Sequence, residues 1–550
     1  MVPLAILGII VGIITGLVVN LFRYLLETTM PFFTNGLHHE HFEQLPSSLH
    51  FFLPLTGCII IGLLLHGLTP ELRRMGVSYV IDKVQHFRTH MSFRNALMQF
   101  ITASIALLTG GSCGREGPSI HLGASSAGLL GYWLKLPNNS IRTIIAGGSA
   151  AAIAAAFNTP IAGVIFAMEV IMMEYALTGI VPVIVAAVSG VVVTQIFYGD
   201  QPIFMIQSIA MASLWQIPWV ALMGLVIGSL ASLFVILHKH ACSFSNIDIR
   251  LRLLITGILT GSVAFFIPEI MGMGYDTLNQ LLQENMALSF LLLFLLAKLI
   301  VTAVGIGLGL PGGLIGPTLV LGGTAGAVMG MAGESILPGI NSSPAFYVLI
   351  GMCAMMGACL QAPLASLMAL LELSDNPNII LPAMIIIVVA NLTSSEIFRT
   401  PSIFKNSLAN GEMSFSPELA RFLNRYGIST VAHNNYIRLD PESDKEVIKQ
   451  SINSDIDWFL IDYEGEDKAL VSKDSLTLAL EKEDFNLETI EQTHSIAPVS
   501  NRATLLEAME RMADKSQIYG YLSAIDKRGN TNIAGVFSQD DIIAFYRGTR

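Results

Sequence analysis

Long apolar runs recur from the first residues of the chain: Val2–Leu21, Phe51–Leu65, Ile101–Leu108, Ile180–Phe197, Ile217–Leu237, Leu253–Phe266, Leu288–Val304 and Ile379–Val389. A simple spanning helix needs about 20 apolar residues. Several runs approach that length, while others are shorter or interrupted by Gly and Pro, which predicts tilted and broken helices in lipid. The start has neither a charged n-region nor an A-x-A-like cleavage site, so Met1–Leu21 reads as an uncleaved first helix. Near Asn410 the pattern changes. Beyond it come charged amphipathic stretches, Asp444–Asn453 and Asn501–Asp514, mixed with short strand-like runs. The expected organisation is a membrane domain over 1–410, with halves of about 1–200 and 210–410, and a soluble domain over 411–550.

The membrane part repeats itself. GREGPSIHLGASSAG from Gly114 and GLIGPTLVLGGTAGA from Gly313 pair at a constant offset of 199, matching Gly117 with Gly316 and Pro118 with Pro317. AAIAAAFNTPIAGVIFAMEV from Ala151 and AMMGACLQAPLASLMALLEL from Ala354 pair at an offset of 203, matching Pro160 with Pro363 and Glu169 with Glu372. Duplicated halves of this kind are the usual build of secondary transporters, often in inverted topology.

Composition and charge sharpen this reading. Hydrophobic residues make up 53% of the 550, charged residues only 13%, and the mean hydropathy is +0.62. A soluble chain carries about 25% charged residues. The last 140 residues hold 24 of the 41 acids and 15 of the 30 bases, which accounts for most of the net charge of −11. Nothing is basic enough to suggest nucleic acid. The five cysteines lack C-x-x-C spacing and read as packing residues, so neither disulfides nor a metal site is expected. His39–Glu40–His41 and the other histidines lack metalloprotease spacing, and no enzyme is expected. A cation transporter would need clustered intramembrane carboxylates for a hard ion, whereas here the acids are few and separated.

Each glycine-rich block sets a bend directly before a helix expected to open near Ser119 or Thr318. A helix N-terminus presents unpaired N–H groups and the positive end of its dipole, so two of them meeting in mid-membrane would hold a small anion without a full positive charge. A lysine there would bind too tightly for release. Glu116 lies in the first bend. An ionisable side chain inside the membrane costs roughly 2.5–3.5 kcal/mol on insertion scales and is a functional candidate by default. Its carboxylate could occupy an anion site itself and leave when protonated or displaced.

The blocks GSCGREGPSIHLGA, GLPGGLIGP, FNTPIAGVIFAMEV and QAPLASLMALLELSDNPNIILPAMII resemble, in order and over about residues 1–410, the CLC family of anion channels and transporters. The resemblance implies an all-α polytopic membrane fold, an inverted repeat of tilted, broken helices. It also implies a homodimer with an anion path in each subunit, placed in a cell or inner membrane. It makes Glu116 the external gate and sets Arg115, Gly117, Gly313, Leu314, Ile315 and Gly316 around the anion. The family's first filter motif, usually G-S-G-I-P, falls in RRMGVSYVIDKV over Met75, Gly76, Val77 and Ser78. Chloride or a related anion is the implied cargo, with protons in the exchanger branch.

Several positions depart from the family. Met75 stands where the anion-contacting serine usually does, Ser78 replaces a proline, Ile315 a phenylalanine and Phe404 the usual tyrosine. A methionine in the first motif also occurs in the fluoride-exporting branch, but that branch usually lacks the proline matched by Pro118. Exchangers usually carry an internal proton glutamate where this chain has Val170, just after Glu169, which reads as structural. Glu174, one turn on, is a candidate replacement acceptor. Channel-like or weakly coupled transport is therefore expected, with chloride/proton antiport or fluoride export as alternatives.

The soluble tail reads as strand YLSAID, turn KRGN, strand NIAGVF and a helix opened by Ser538–Asp541, with a related piece over Trp458–Leu480. This resembles a degenerate pair of cytoplasmic CBS domains, an α/β unit in which an S/T-x-x-D tip can hold the ribose or phosphate of an adenine nucleotide. Ser538 and Asp541 are the candidate nucleotide residues, and they could equally cap the helix. The first copy has Ser472 and Ser475 and lacks the acid, so a structural clamp with no cofactor is the competing expectation.

Overall fold

The structure, a computed structural model, describes residues 2–33, 42–85, 90–175, 177–200, 211–283, 286–336, 342–407, 417–440, 445–452, 456, 458–462, 468–480, 487, 494–515, 517–525 and 531–548. The KRGN turn, His39–Glu40–His41 and the expected boundary at Asn410 lie outside the described residues. The chain forms two compact units: Met1–Leu134 with Ile141–Ala409, and Asn410–Arg550 with the short segment Lys135–Ser140.

The first unit is helical. Among the described residues, eight helices are long and apolar enough to cross a membrane. The first, Val2–Phe33, packs along Leu177–Tyr198, and its repeat counterpart Ile217–Cys242 packs along Ile380–Leu392. Gly8, Gly12 and Gly16 make the first of these contacts, because a Cβ on any of them would run into Pro182, Ala186 or Val193. Small residues four apart let helix backbones approach closely where hydrophobic burial gives no drive. The opposite stripe of the first helix, with Ile6, Ile9, Ile13 and Leu17, is exposed.

Helices related by the repeat also meet each other. Ser47–His66 packs on Ile249–Ala264, and Pro160–Phe166 on Pro363–Ser374. In the second pair each half caps the other. Ile161 and Ala162 donate their N–H groups to the Glu372 carboxylate at 2.8 and 2.7 Å. Leu364 and Ala365 donate theirs to Glu169 at 3.3 and 2.7 Å. Proline opens both helices, where its missing N–H costs nothing, and a carboxylate at the positive helix end satisfies the N–H groups that follow. Hydrogen bonds to a charged group contribute about 1.5–3 kcal/mol each, so Glu372→Ala should destabilise this unit by about 2–4 kcal/mol, with one donor half exposed. Glu372→Gln, which keeps one acceptor, should cost less. The apparent melting temperature in detergent checks both, and equal values for wild type and Glu372→Ala would remove the caps from the stability account.

The helices expected to open near Ser119 and Thr318 begin earlier, at Glu116 and Ile315. Pro118 and Pro317 fall within the first turn, where the N–H they lack has no intrahelical partner in any case. Glu116 is therefore the first helical residue rather than part of the bend.

The second unit carries a six-stranded sheet in sequence order: β1 Tyr436–Leu439, β2 Trp458–Asp462, β3 Lys468–Ser472, β4 His494–Ser500, β5 Tyr519–Ile525 and β6 Thr531–Ser538. β1 pairs parallel with β2 across the helix Lys445–Ile452, and β4 pairs parallel with β5 across Leu505–Asp514. Parallel neighbours require such crossovers. β3 and β6 return antiparallel and lead into the helices Lys473–Leu480 and Gln539–Gly548, so the unit is one βαββα piece made twice. Alternation along β2 sends Phe459 and Ile461 into one core, with Ile448 and Leu476, and Leu460 into another, with Tyr521 and Val536.

Candidate functional site

The repeated glycine blocks meet in space. Gly114 donates its N–H to the Gly313 carbonyl at 2.8 Å and Gly313 returns the bond at 2.7 Å, an antiparallel crossing of the two loops. A Cβ at Gly117 would strike the Gly313 backbone, so this approach requires glycine. Both helices start at the crossing.

Glu116 is fully buried, and its carboxylate reaches across to the other half. Gly316, in the first turn of the Ile315 helix, donates its N–H to Oε2 at 3.2 Å, and the Tyr275 hydroxyl donates to Oε1 at 2.5 Å. A negative group thus sits at a helix N-terminus, where dipole and unpaired N–H groups favour an anion.

Next to the crossing opens a cavity of about 600 Å³. Met75, Gly76, Val77, Ser78, Gly117, Gly313, Leu314 and Phe404 line it together with Arg73, Arg74 and Arg252. Arg115 is the N-cap of the Glu116 helix, and Ile315 is the buried first residue of its own helix. Two expected backbone donors are committed elsewhere. Gly76, at φ +79°, gives its N–H to the Gln99 side chain at 2.9 Å, and the N–H of Gly313 goes to Gly114.

Val170 is buried in a π-helical turn, Ala167–Met172, that continues the Pro160 helix. Its neighbour Glu169 is the helix cap described above. Glu174 forms an ion pair with Arg142 at 2.8 Å, both side chains mostly buried. In the second unit, Ser538 and Asp541 form a reciprocal cap: Asp541 accepts from the Ser538 N–H and hydroxyl at 2.8 and 2.7 Å, and its own N–H bonds the Ser538 hydroxyl at 3.1 Å. In the first copy the Ser475 hydroxyl meets the Ser472 hydroxyl at 2.8 Å, and the Ser475 N–H donates to the Ser472 hydroxyl at 3.3 Å. Among the described residues no cluster of three His, Cys, Asp or Glu side chains could hold a metal.

Tyr275, Lys298 and the three arginines were not picked out from the sequence as site residues. Signals for the first two exist. Tyr275 stands 199 residues after Gly76, the same repeat offset, and Lys298 is a lone charge in the apolar run LLLFLLAKLIV.

Known proteins resemble this chain in sequence and in fold. Residues 57–395 match the family model described as voltage gated chloride channel. The H(+)/Cl(−) exchange transporter ClcA of Vibrio cholerae serotype O1 (strain M66-2) is 28% identical over 391 residues, covering 69% of this chain and 83% of its own. The crystal structure of a slow cyanobacterial Cl−/H+ antiporter shares the fold with a TM-score of 0.65 at 19% identity, covering 73% of this chain and 96% of its own. That of a eukaryotic CLC transporter gives 0.64 at 17% identity and covers 98% of this chain and 97% of its own, the α/β unit included. With the family model spanning well over half of its length, the chain belongs to the voltage gated chloride channel family: a multi-pass integral membrane protein of CLC-type anion transport, not an enzyme.

Proposed function

We propose that this chain passes chloride or a similar small anion along a path gated by the Glu116 carboxylate, with little or no coupling to protons. The observation that carries the reading is the seat of that carboxylate on the Gly316 N–H at a helix N-terminus, beside a cavity walled by Arg73, Arg74 and Arg252. A group that occupies an anion site is displaced by an anion or neutralised by a proton, and either event opens the path. Reconstitution tests this: liposomes holding the purified protein should release chloride when a potassium ionophore balances charge. Release no faster than from empty liposomes would reject it.

Weak coupling rests on Val170, which carries no titratable group, and on Glu174, whose carboxylate is tied to Arg142. A chloride gradient should therefore drive little uphill proton movement, measured with a pH electrode outside the liposomes. Stoichiometric proton pumping would favour instead the antiport named for the Vibrio relative, with Glu174 as the acceptor to test first. Fluoride export is the third reading. Met75 supports it and Pro118 opposes it, and a fluoride electrode in the same assay decides. The chain is further read as an inverted-repeat homodimer. Its doubled βαββα unit is read as a CBS-like pair acting as a clamp, because the Ser538 and Asp541 side chains are occupied with each other.

A further inference from the structure

We propose that Tyr275 is a positioning residue for the gate: its phenol holds the Glu116 carboxylate in the anion path and releases it on protonation. The inference rests on the gating role of Glu116 argued above and adds a second partner to it.

The two oxygens of Glu116 have different partners, Oε2 the Gly316 N–H at 3.2 Å and Oε1 the Tyr275 hydroxyl at 2.5 Å. The three groups are packed against one another, since a Cβ at Gly316 would come within 2.9 Å of both the tyrosine oxygen and the carboxylate. The phenol is itself held. Tyr275 is buried at 8% exposure and opens the helix Tyr275–Gln283. The turn before it passes through Gly272 and Gly274 at φ +61° and +85°, and Lys298, wholly buried on the Leu288–Gly307 helix, donates from Nζ to the carbonyls of Ile270 and Gly272 at 2.8 and 2.9 Å. A buried ammonium is expensive, and these carbonyls satisfy two of its donors. The phenol is thus fixed from behind, so on release the glutamate is the group that moves.

A phenol donates to a carboxylate in the stronger, charge-assisted kind of hydrogen bond and to a protonated carboxyl in the weaker neutral kind. Removing the hydroxyl therefore weakens the closed, charged state more than the protonated one. The other charged groups on the elements that form the cluster are Arg115, the N-cap before Glu116, Lys298, bonded to the turn before Tyr275, and Asp276 next to Tyr275, with Glu43 and Glu269 near Asp276. Burial, with Asp276 and Glu269 nearby, pushes the Glu43 carboxyl up to about 7, so it can add its own pH response.

The test is chloride flux against pH in liposomes with the full chain, comparing wild type, Tyr275→Phe, Glu116→Gln and the Tyr275→Phe/Glu116→Gln double variant, with the first two repeated on a Glu43→Gln background. Tyr275→Phe should move the midpoint of the pH profile alkaline by about one to two pH units, leave the maximal acid flux unchanged, and do so with Glu43→Gln present. The double variant should match Glu116→Gln alone. An unmoved midpoint, with pH dependence lost in Glu116→Gln, overturns the role of Tyr275 and leaves the gate standing, as does a lower maximal flux at the same midpoint. A shift that persists in the double variant also overturns it. If pH dependence survives in Glu116→Gln, titration of Glu116 does not open the path, and the charge-gated reading and this inference fall together.

Discussion

Glu116→Gln and Glu116→Ala should each abolish the pH dependence of anion flux and leave the path open at neutral pH. The energetics of the closed state explain why so small a change suffices. Placing a carboxylate within the membrane costs roughly 2.5–3.5 kcal/mol, against about 1.5–3 kcal/mol gained for each of its two hydrogen bonds. The sum lies within a few kcal/mol of balance, so the seated carboxylate is held weakly enough for an anion to compete. Glutamine has the shape but not the charge and cannot be switched by a proton, while alanine vacates the Gly316 N–H altogether. Flux measured from pH 4 to 8 in liposomes checks both variants. Unchanged pH dependence in both would remove Glu116 from the mechanism. Loss in alanine but not in glutamine would mean that side-chain bulk, rather than charge, closes the path.

Much of this arrangement was legible because a duplicated sequence marks its own axis. The offset of 199 pairs Gly114 with Gly313, and these two residues bond to each other at the loop crossing. The offset of 203 pairs Glu169 with Glu372, and each caps the helix of the other half. Local chemistry was readable as well: the Ser538–Asp541 spacing reads as a cap and forms one. Choices of distant partner were not. Nothing local in YDTLNQ says that the tyrosine meets a glutamate 159 positions earlier, or that Arg142 pairs with Glu174. Backbone commitments were hidden for a related reason. A motif names the glycines of a filter, but whether their N–H groups face an anion or a neighbouring loop depends on the packing of Gln99 and Gly114. The helix starts were misplaced because proline within the first turn and proline before a helix look alike in sequence.

Met75→Ser combined with Phe404→Tyr should raise chloride affinity by roughly one to four orders of magnitude. Both residues line the cavity, where the family resemblance expects hydroxyls, and neither offers an anion a donor. A hydrogen bond contributes about 0.5–1.5 kcal/mol when neutral and about 1.5–3 to a charged group, and about 1.4 kcal/mol is tenfold in affinity, so two restored donors span that range. The natural chain compensates only in part. With the N–H groups of Gly76 and Gly313 committed, the backbone donors expected at the centre are those near Val77, Leu314 and Ile315. Arg73 and Arg252 around the same cavity, with Arg74 paired to Asp82 at 3.1 Å, would raise the local anion concentration without gripping one ion. Conduction needs sites that an ion can leave, so weak central binding is compatible with fast passage. Titration calorimetry in detergent measures the change. Tight chloride binding by the wild type, unaltered in the double variant, would show either that the first filter motif is out of register around Met75 or that its backbone N–H groups suffice without hydroxyls.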